Sequence, residues 1–197
     1  MKATIYLASR SPRRIELLKQ LGLKFLVEPS LVEPDLPEGK CPDPALAVRE
    51  ISHIKASDVA RRTGSGIVIA ADTAVYLHGA IMGKPASFKD AYRMLCGLNG
   101  NMHEVYTGIT VMDAAKNIAL TGHEVTRVFF RDLPEGRIRS YLETGEPMDK
   151  AGAYGIQGLG SLLVARIEGC YFNVVGLPIA VLDALLQQVG VLLLGAD

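Results

Sequence analysis

Short apolar runs separated by polar turns organise this chain, and the spacing of apolar positions changes from one run to the next. Residues 4–8 predict a strand, and beyond them Ile15, Leu17, Leu18 and Leu21 fall at helical spacing. Between the two lies Ser9-Arg10-Ser11-Pro12-Arg13-Arg14. Ser11 stands at the N-cap position and Pro12 at the first helical one, so the stretch predicts a strand, a tight polar loop and a helix start. Residues 25–27 predict a further short strand. Leu46, Val48, Ile51, Ile54 and Val59 predict a helix beginning at Asp43 or Pro44. Residues 67–71 are continuously apolar, the mark of a strand buried on both faces, and the run stops at Asp72-Thr73. Residues 75–77 and 80–82, joined by His78-Gly79, predict a hairpin; Ser87 caps a helix reaching about residue 98. Residues 105–112 and 118–130 predict a long antiparallel pair, 134–144 a helix and 162–167 a strand, with Pro178 near the start of the last helix. Helices alternating with buried strands, plus one long antiparallel pair, predict a mixed α/β sheet.

Composition narrows the class. A chain of 197 residues, 49% hydrophobic, is long enough for one well-filled core, and a single domain over residues 1–197 is expected. Lys plus Arg equals Asp plus Glu, 21 each, which argues against a nucleic-acid-binding protein. Three cysteines at wide spacing, with no cleavable apolar leader, point to a reducing cytoplasm. No run reaches membrane-spanning length; residues 189–195 fall far short. The apolar stretch 191–194 reads as core or as a partner surface, which leaves a homodimer open.

Candidate chemistry begins at the arginine loop. A helix N-terminus carries partial positive charge and unpaired N–H groups, so a cation there costs about 0.3–1 kcal/mol. Arg10, Arg13 and Arg14 surround this one, and a bound phosphate would reverse the sign. On that argument, removing Arg14 should leave the empty protein as stable as before, or more so. Asp72 ends the buried run, and a carboxylate there is costly unless it is paired or works on something. Residues 29–39 form a Pro-rich acidic loop containing Glu33, whose acids matter only if the fold brings them to the arginines. Lys55, on the second helix, is expected to be solvated. In Gly83-Lys84-Pro85 the glycine lets backbone approach a ligand closely. Residues 151–160 gather glycines around Tyr154 and Gln157, a loop suited to lying against a flat ligand; His103 reads as structural. A phosphate loop, separate lysines and two acids suit a polyphosphate with a divalent metal, since hard oxygen ligands bind Mg²⁺ and phosphates complete its shell.

These stretches resemble the Maf family of nucleoside triphosphate pyrophosphatases. The resemblance rests on Leu7 to Arg14, Glu33-Pro34, Lys55-Ala56, Ala70-Ala71-Asp72-Thr73, Gly83-Lys84-Pro85, His103 with Thr107-Gly108, Asp149 to Gly158, and Asn173 to Pro178, in family order over nearly the whole chain. It departs at Leu98-Asn99-Gly100-Asn101, where the family commonly has Leu-Ser-Gly-Arg. It implies a twisted mixed sheet with helices on both faces and two lobes flanking a deep cleft, similar to the inosine triphosphate pyrophosphatases. It also implies hydrolysis of a nucleoside triphosphate to monophosphate and pyrophosphate with Mg²⁺ or Mn²⁺, house-cleaning of nucleotide pools and a link to septum formation. Asp72 matches the proton acceptor, with Glu33 beside metal and water; Ser9, Arg14, Lys55 and Lys84 match residues facing the phosphates. Arg13, Thr73 and Gln157 match the positions that set base choice, in the form carried by the subgroup acting on dTTP and UTP. Two alternatives stand beside this: a pyrophosphatase for modified purine triphosphates such as 7-methyl-GTP, and a non-catalytic nucleotide sensor regulating division.

Overall fold

The computed structural model describes residues 3–34 and 39–194. The middle of the acidic loop, residues 35–38, lies outside the described residues, as does residue 195 of the C-terminal apolar run. In chain order the elements are β1 (Ile5–Leu7), α1 (Pro12–Gln20), β2 (Leu26–Val27), β3 (Gly39–Lys40), α2 (Pro44–Thr63), β4 (Ile67–Leu77) and β5 (Ala80–Met82). There follow α3 (Phe88–Leu98), β6 (Met102–Asp113), β7 (Ile118–Phe130), α4 (Glu135–Glu143), β8 (Val164–Glu168), α5 (Tyr171–Val175) and α6 (Ile179–Gln188). The sheet runs β2-β1-β4-β6-β7-β8, with β5 paired to β4 and β3 to β5. β1 is parallel to β2 and β4, and the long β4, β6 and β7 are antiparallel, so the sheet is mixed.

Helices cover both faces, and the alternation along β4 decides which residues meet which helix. Ile67, Ile69 and Ala71 pack with Leu17 and Leu18 of α1 and Leu182, Leu185 and Leu186 of α6. Val68 and Ala70 face the other way, onto Ala56, Val59 and Ala60 of α2. Further along the sheet, Val75, Val105, Val128 and Phe130 pack with Leu95 of α3, Ile138 of α4 and Tyr154. Each fully buried leucine or isoleucine in these clusters contributes about 1.5–3 kcal/mol of transfer free energy.

The structure corrects several sequence expectations. β4 does not stop before Asp72 but continues to Leu77, joining two segments that read as separate. Pairing with β1 ends at Leu7↔Ile69 while β6 still holds the strand, and Asp72 and Thr73 are half-buried before burial resumes at Ala74 and Val75. Ser11 sits before α1 as expected, but its side chain caps nothing. His103 lies within β6, not ahead of it; it is buried, its Nε2 is 2.6 Å from the Tyr154 hydroxyl, and burial lowers its pKa to about 3. The last strand starts only at Val164, after a 3-10 turn over Gly158–Leu163, and the short α5 has no counterpart in the apolar spacing.

Gly108 sets how closely α2 approaches the sheet. It pairs with Asp72 across β4 and β6, and a Cβ there would lie 2.2 Å from the Val48 carbonyl oxygen of α2. Backbone cannot yield as a flexible side chain does, so a methyl group must push the helix off. Gly108→Ala is expected to cost about 1–3 kcal/mol, a Tm drop of roughly 2–12 °C by thermal denaturation. An unchanged Tm would mean that α2 does not rest on β6 at this point.

Candidate active site

Asp72 and Thr73 are consecutive on β4 and therefore point to opposite faces of the sheet. On the α2 side, Lys55 Nζ donates to Asp72 Oδ1 at 2.7 Å. The side chains are 15% and 14% exposed, so each charge offsets the other's loss of water. This overturns the expectation that Lys55 would be solvated. Asp72 Oδ2 accepts no hydrogen bond among the described residues, which leaves one carboxylate oxygen for a proton or a cation.

On the α1 side, Arg14 reaches Thr73. Its Nη2 donates to Thr73 Oγ1 at 3.0 Å, its Nη1 to Ser9 Oγ at 3.3 Å and its Nε to the Gly176 carbonyl at 2.8 Å. Arg14 thus ties the arginine loop to β4 and to the turn after α5. Burial lowers its pKa to about 10; nearby Asp72 opposes the shift and Arg13 adds to it. A guanidinium has five N–H groups, so two of Arg14's remain for a substrate. Gly176 has φ +116°, and a Cβ on it would stand 3.3 Å from Thr73 Oγ1, which is why a side chain is unwelcome at this crossing. Ser9 Oγ also accepts the Ser11 N–H at 3.2 Å, closing the loop before α1.

Glu33 reaches the site by a loop fastened to α2. Asp58 accepts from Leu31 N at 2.8 Å and Ser30 Oγ at 3.1 Å, while Arg62 donates to the Pro29 carbonyl at 2.7 Å and pairs with Glu28. Burial raises the Asp58 pKa, but these bonds and the Arg62 charge outweigh it and hold the carboxyl below its ordinary value. Helix α2 therefore carries both Lys55 and the anchor for Glu33. On the far side, Glu146 accepts from Leu159 N and Gly160 N, at 3.1 Å each, and from the Tyr141 hydroxyl at 3.1 Å. This glutamate braces the loop around Gln157, whose side chain makes no hydrogen bond among the described residues. Gly83 holds the same segment through Gly152 N at 2.9 Å, next to Lys84.

One cleft of about 830 Å³ receives these groups. Ser9, Arg13, Arg14, Glu33, Lys55, Asp72, Thr73, Lys84 and Gln157 all line it. Every residue named in the sequence as a catalytic, phosphate-binding, base-choice or metal candidate therefore lines one space. Arg13 is also 3.7 Å from Asp149, an exposed pair of little energetic weight. Asp58, Arg62, Glu146, Thr107 and Asn173 support the site without having been singled out as site residues. Their signal is a polar side chain at a buried or loop-anchoring position, which spacing alone does not reveal.

Similarity to known proteins extends over nearly the whole chain. The Maf-like protein family model matches residues 4–189, so the chain belongs to that family. A dTTP/UTP pyrophosphatase from Carboxydothermus hydrogenoformans is 48% identical over 94% of this chain and 98% of its own. Proteins of the same name from Pelotomaculum thermopropionicum and Dictyoglomus thermophilum are 49% and 46% identical, covering 94% and 98% of this chain and 96% and 100% of theirs. Among solved structures, a HAM1 protein from Coxiella burnetii aligns with a TM-score of 0.48 and 18% identity, over 67% of this chain and 75% of that one.

The Arg14 contacts reverse the expectation drawn from the helix dipole. Arg14→Ala should now destabilise the nucleotide-free protein by about 1.5–3 kcal/mol, since hydrogen bonds from a charged group are lost and Gly176 and Thr73 lose a partner. Thermal denaturation without nucleotide reads this directly. A Tm equal to wild type would return Arg14 to a role toward anions alone.

Proposed function

We propose that this protein hydrolyses nucleoside triphosphates, dTTP and UTP foremost, to the monophosphate and pyrophosphate. The observation that carries the reading is the Lys55–Asp72 pair on the floor of a cleft that also holds Ser9, Arg14, Glu33 and Lys84. The three relatives described above bear the name of this activity over almost their whole length. In this reading Arg14, Ser9, Lys55 and Lys84 bind the phosphate oxygens, and Asp72 takes the proton of the attacking water. The water oxygen forms the new bond to phosphorus as the bond to the pyrophosphate oxygen breaks.

A divalent cation fits the residues present. Glu33 and Asp72 offer hard carboxylate oxygens to the same cleft, and Asp72 Oδ2 has no donor among the described residues. Two carboxylates together with substrate phosphate oxygens are a donor set that Mg²⁺ or Mn²⁺ accepts. Such a cation would supply charge neutralisation on the phosphates. Cys41, Cys96 and Cys170 are free thiols, in keeping with a cytoplasmic setting, and among the described residues no helix is long and apolar enough to cross a membrane. A non-catalytic sensor would have no need of Asp72 as a proton acceptor.

Base choice is assigned to Gln157 with Arg13 and Thr73. Glu146 already braces the Gln157 loop, so the amide is available to match the carbonyl and imide N–H of uracil or thymine. The test is a panel of nucleoside triphosphates with Mg²⁺ or Mn²⁺, scored for pyrophosphate. Wild type should prefer dTTP and UTP, and Gln157→Glu should lower kcat/KM for these far more than for purine triphosphates, by up to about 10⁴-fold. A uniform drop with unchanged ranking would remove Gln157 from base choice. A wild-type preference for 7-methyl-GTP would favour the purine reading.

A further inference from the structure

We infer that Thr107 and Asn173 fix the polarity of the Thr73 hydroxyl, making it an acceptor toward the cleft that takes an N–H or O–H of the nucleoside and turns phosphate away. This rests on the nucleotide reading above and adds to it positioning residues that do not line the cleft.

Proton counting gives the direction. Thr107 is fully buried, and its hydroxyl is 3.0 Å from the Asn173 carbonyl oxygen. A carbonyl only accepts, so the single Thr107 proton goes there. Thr73 Oγ1 and Thr107 Oγ1 are 3.0 Å apart; with the Thr107 proton committed, Thr73 is the donor between them. Thr73 Oγ1 meanwhile accepts from Arg14 Nη2 at 3.0 Å. The chain therefore runs one way, from guanidinium through two hydroxyls to a backbone carbonyl. Asn173 holds that carbonyl in place: it is buried, and its Nδ2 donates to the Val105 carbonyl and to Thr126 Oγ1, each at 2.9 Å.

The outcome at the cleft is one remaining lone pair on Thr73 and no proton. Ser9 has the opposite character. Its oxygen accepts from Ser11 N and Arg14 Nη1, so its own proton is free to donate. One arginine thus supports a donor hydroxyl at Ser9 and an acceptor hydroxyl at Thr73. Phosphate oxygens, which only accept at neutral pH, match Ser9 and are repelled at Thr73. The groups that match Thr73 are the imide N–H of uracil or thymine and the sugar 3′-hydroxyl, both shared by dTTP and UTP. The relay therefore sets an acceptor hydroxyl for the nucleoside beside a donor hydroxyl for phosphate, around one guanidinium.

The experiment compares kcat/KM for UTP, 3-methyl-UTP and 3′-deoxy-UTP, each lacking one of these donors, in wild type, Thr107→Val and Thr107→Ser. Wild type should lose about tenfold or more with one of the two analogues, and relief of that loss in Thr107→Val names the donor that Thr73 takes, since Gln157 is also set to meet the imide N–H. Thr107→Val leaves the Thr73 proton without its acceptor and lets it turn toward the cleft, so that loss should shrink toward parity, mainly through KM. Thr107→Ser keeps the hydroxyl and should keep the wild-type ratios. Wild type processing both analogues like UTP would overturn the inference with no variant needed, and decides the matter even if Thr107→Val fails to fold. A loss that Thr107→Val does not relieve, or a drop by one common factor for all substrates, would reduce Thr107 to a structural role. No pyrophosphate from UTP in wild type would instead sink the nucleotide reading underneath.

Discussion

Successive side chains of a strand point to opposite faces, and the cleft is built on that alternation at Asp72-Thr73. Asp72 turns to α2 and finds Lys55; Thr73 turns to α1 and finds Arg14. A one-residue slip of β4 against β6 would exchange the two faces and leave a carboxylate facing a hydroxyl relay. Register is held by the apolar residues on either side, because Ile67, Ile69 and Ala71 fill one core while Val68 and Ala70 fill another. Core packing and site chemistry therefore depend on the same constraint. Gly108, opposite Asp72, completes it by letting α2 lie against β6.

Lys55, Asp72 and Arg14, charged groups of the cleft, are met by an opposite partner or by directed hydrogen bonds. Lys55 and Asp72 neutralise each other where water is scarce. Arg14 spreads its bonds over a carbonyl and two hydroxyls, which offset part of its desolvation while two N–H groups remain for a ligand. The loop bearing Glu33 is fastened at its base by Asp58 and Arg62, and the loop bearing Gln157 by Glu146. A chain of zero net charge can in this way gather Arg13, Arg14, Lys55 and Lys84 around one cleft.

Much of this was legible before any coordinates. Strand-loop-helix around Ser9 to Arg14 follows from apolar spacing and an N1 proline, and the buried run at 67–71 marks the central strand. Asp72 stood out because a carboxylate beside such a run is costly. Three things were not legible. The continuation of β4 past Asp72 depends on β6, a neighbour distant in sequence. The role of Arg14 as a clasp depends on Gly176, 162 residues away. The relay through Thr107 and Asn173 involves polar groups whose direction is set only by their partners. Local pattern carries propensity and burial, whereas these three are facts of long-range contact.

The account stands most directly on Asp72 as the proton acceptor. Asp72→Asn keeps an oxygen for Lys55 and the volume of the side chain while removing the negative charge. With UTP and saturating Mg²⁺, the account predicts that pyrophosphate release falls by about 10²–10⁴-fold or more, together with a lowered Tm because Lys55 loses its counter-charge. Near-normal pyrophosphate release from a folded Asp72→Asn protein would contradict it.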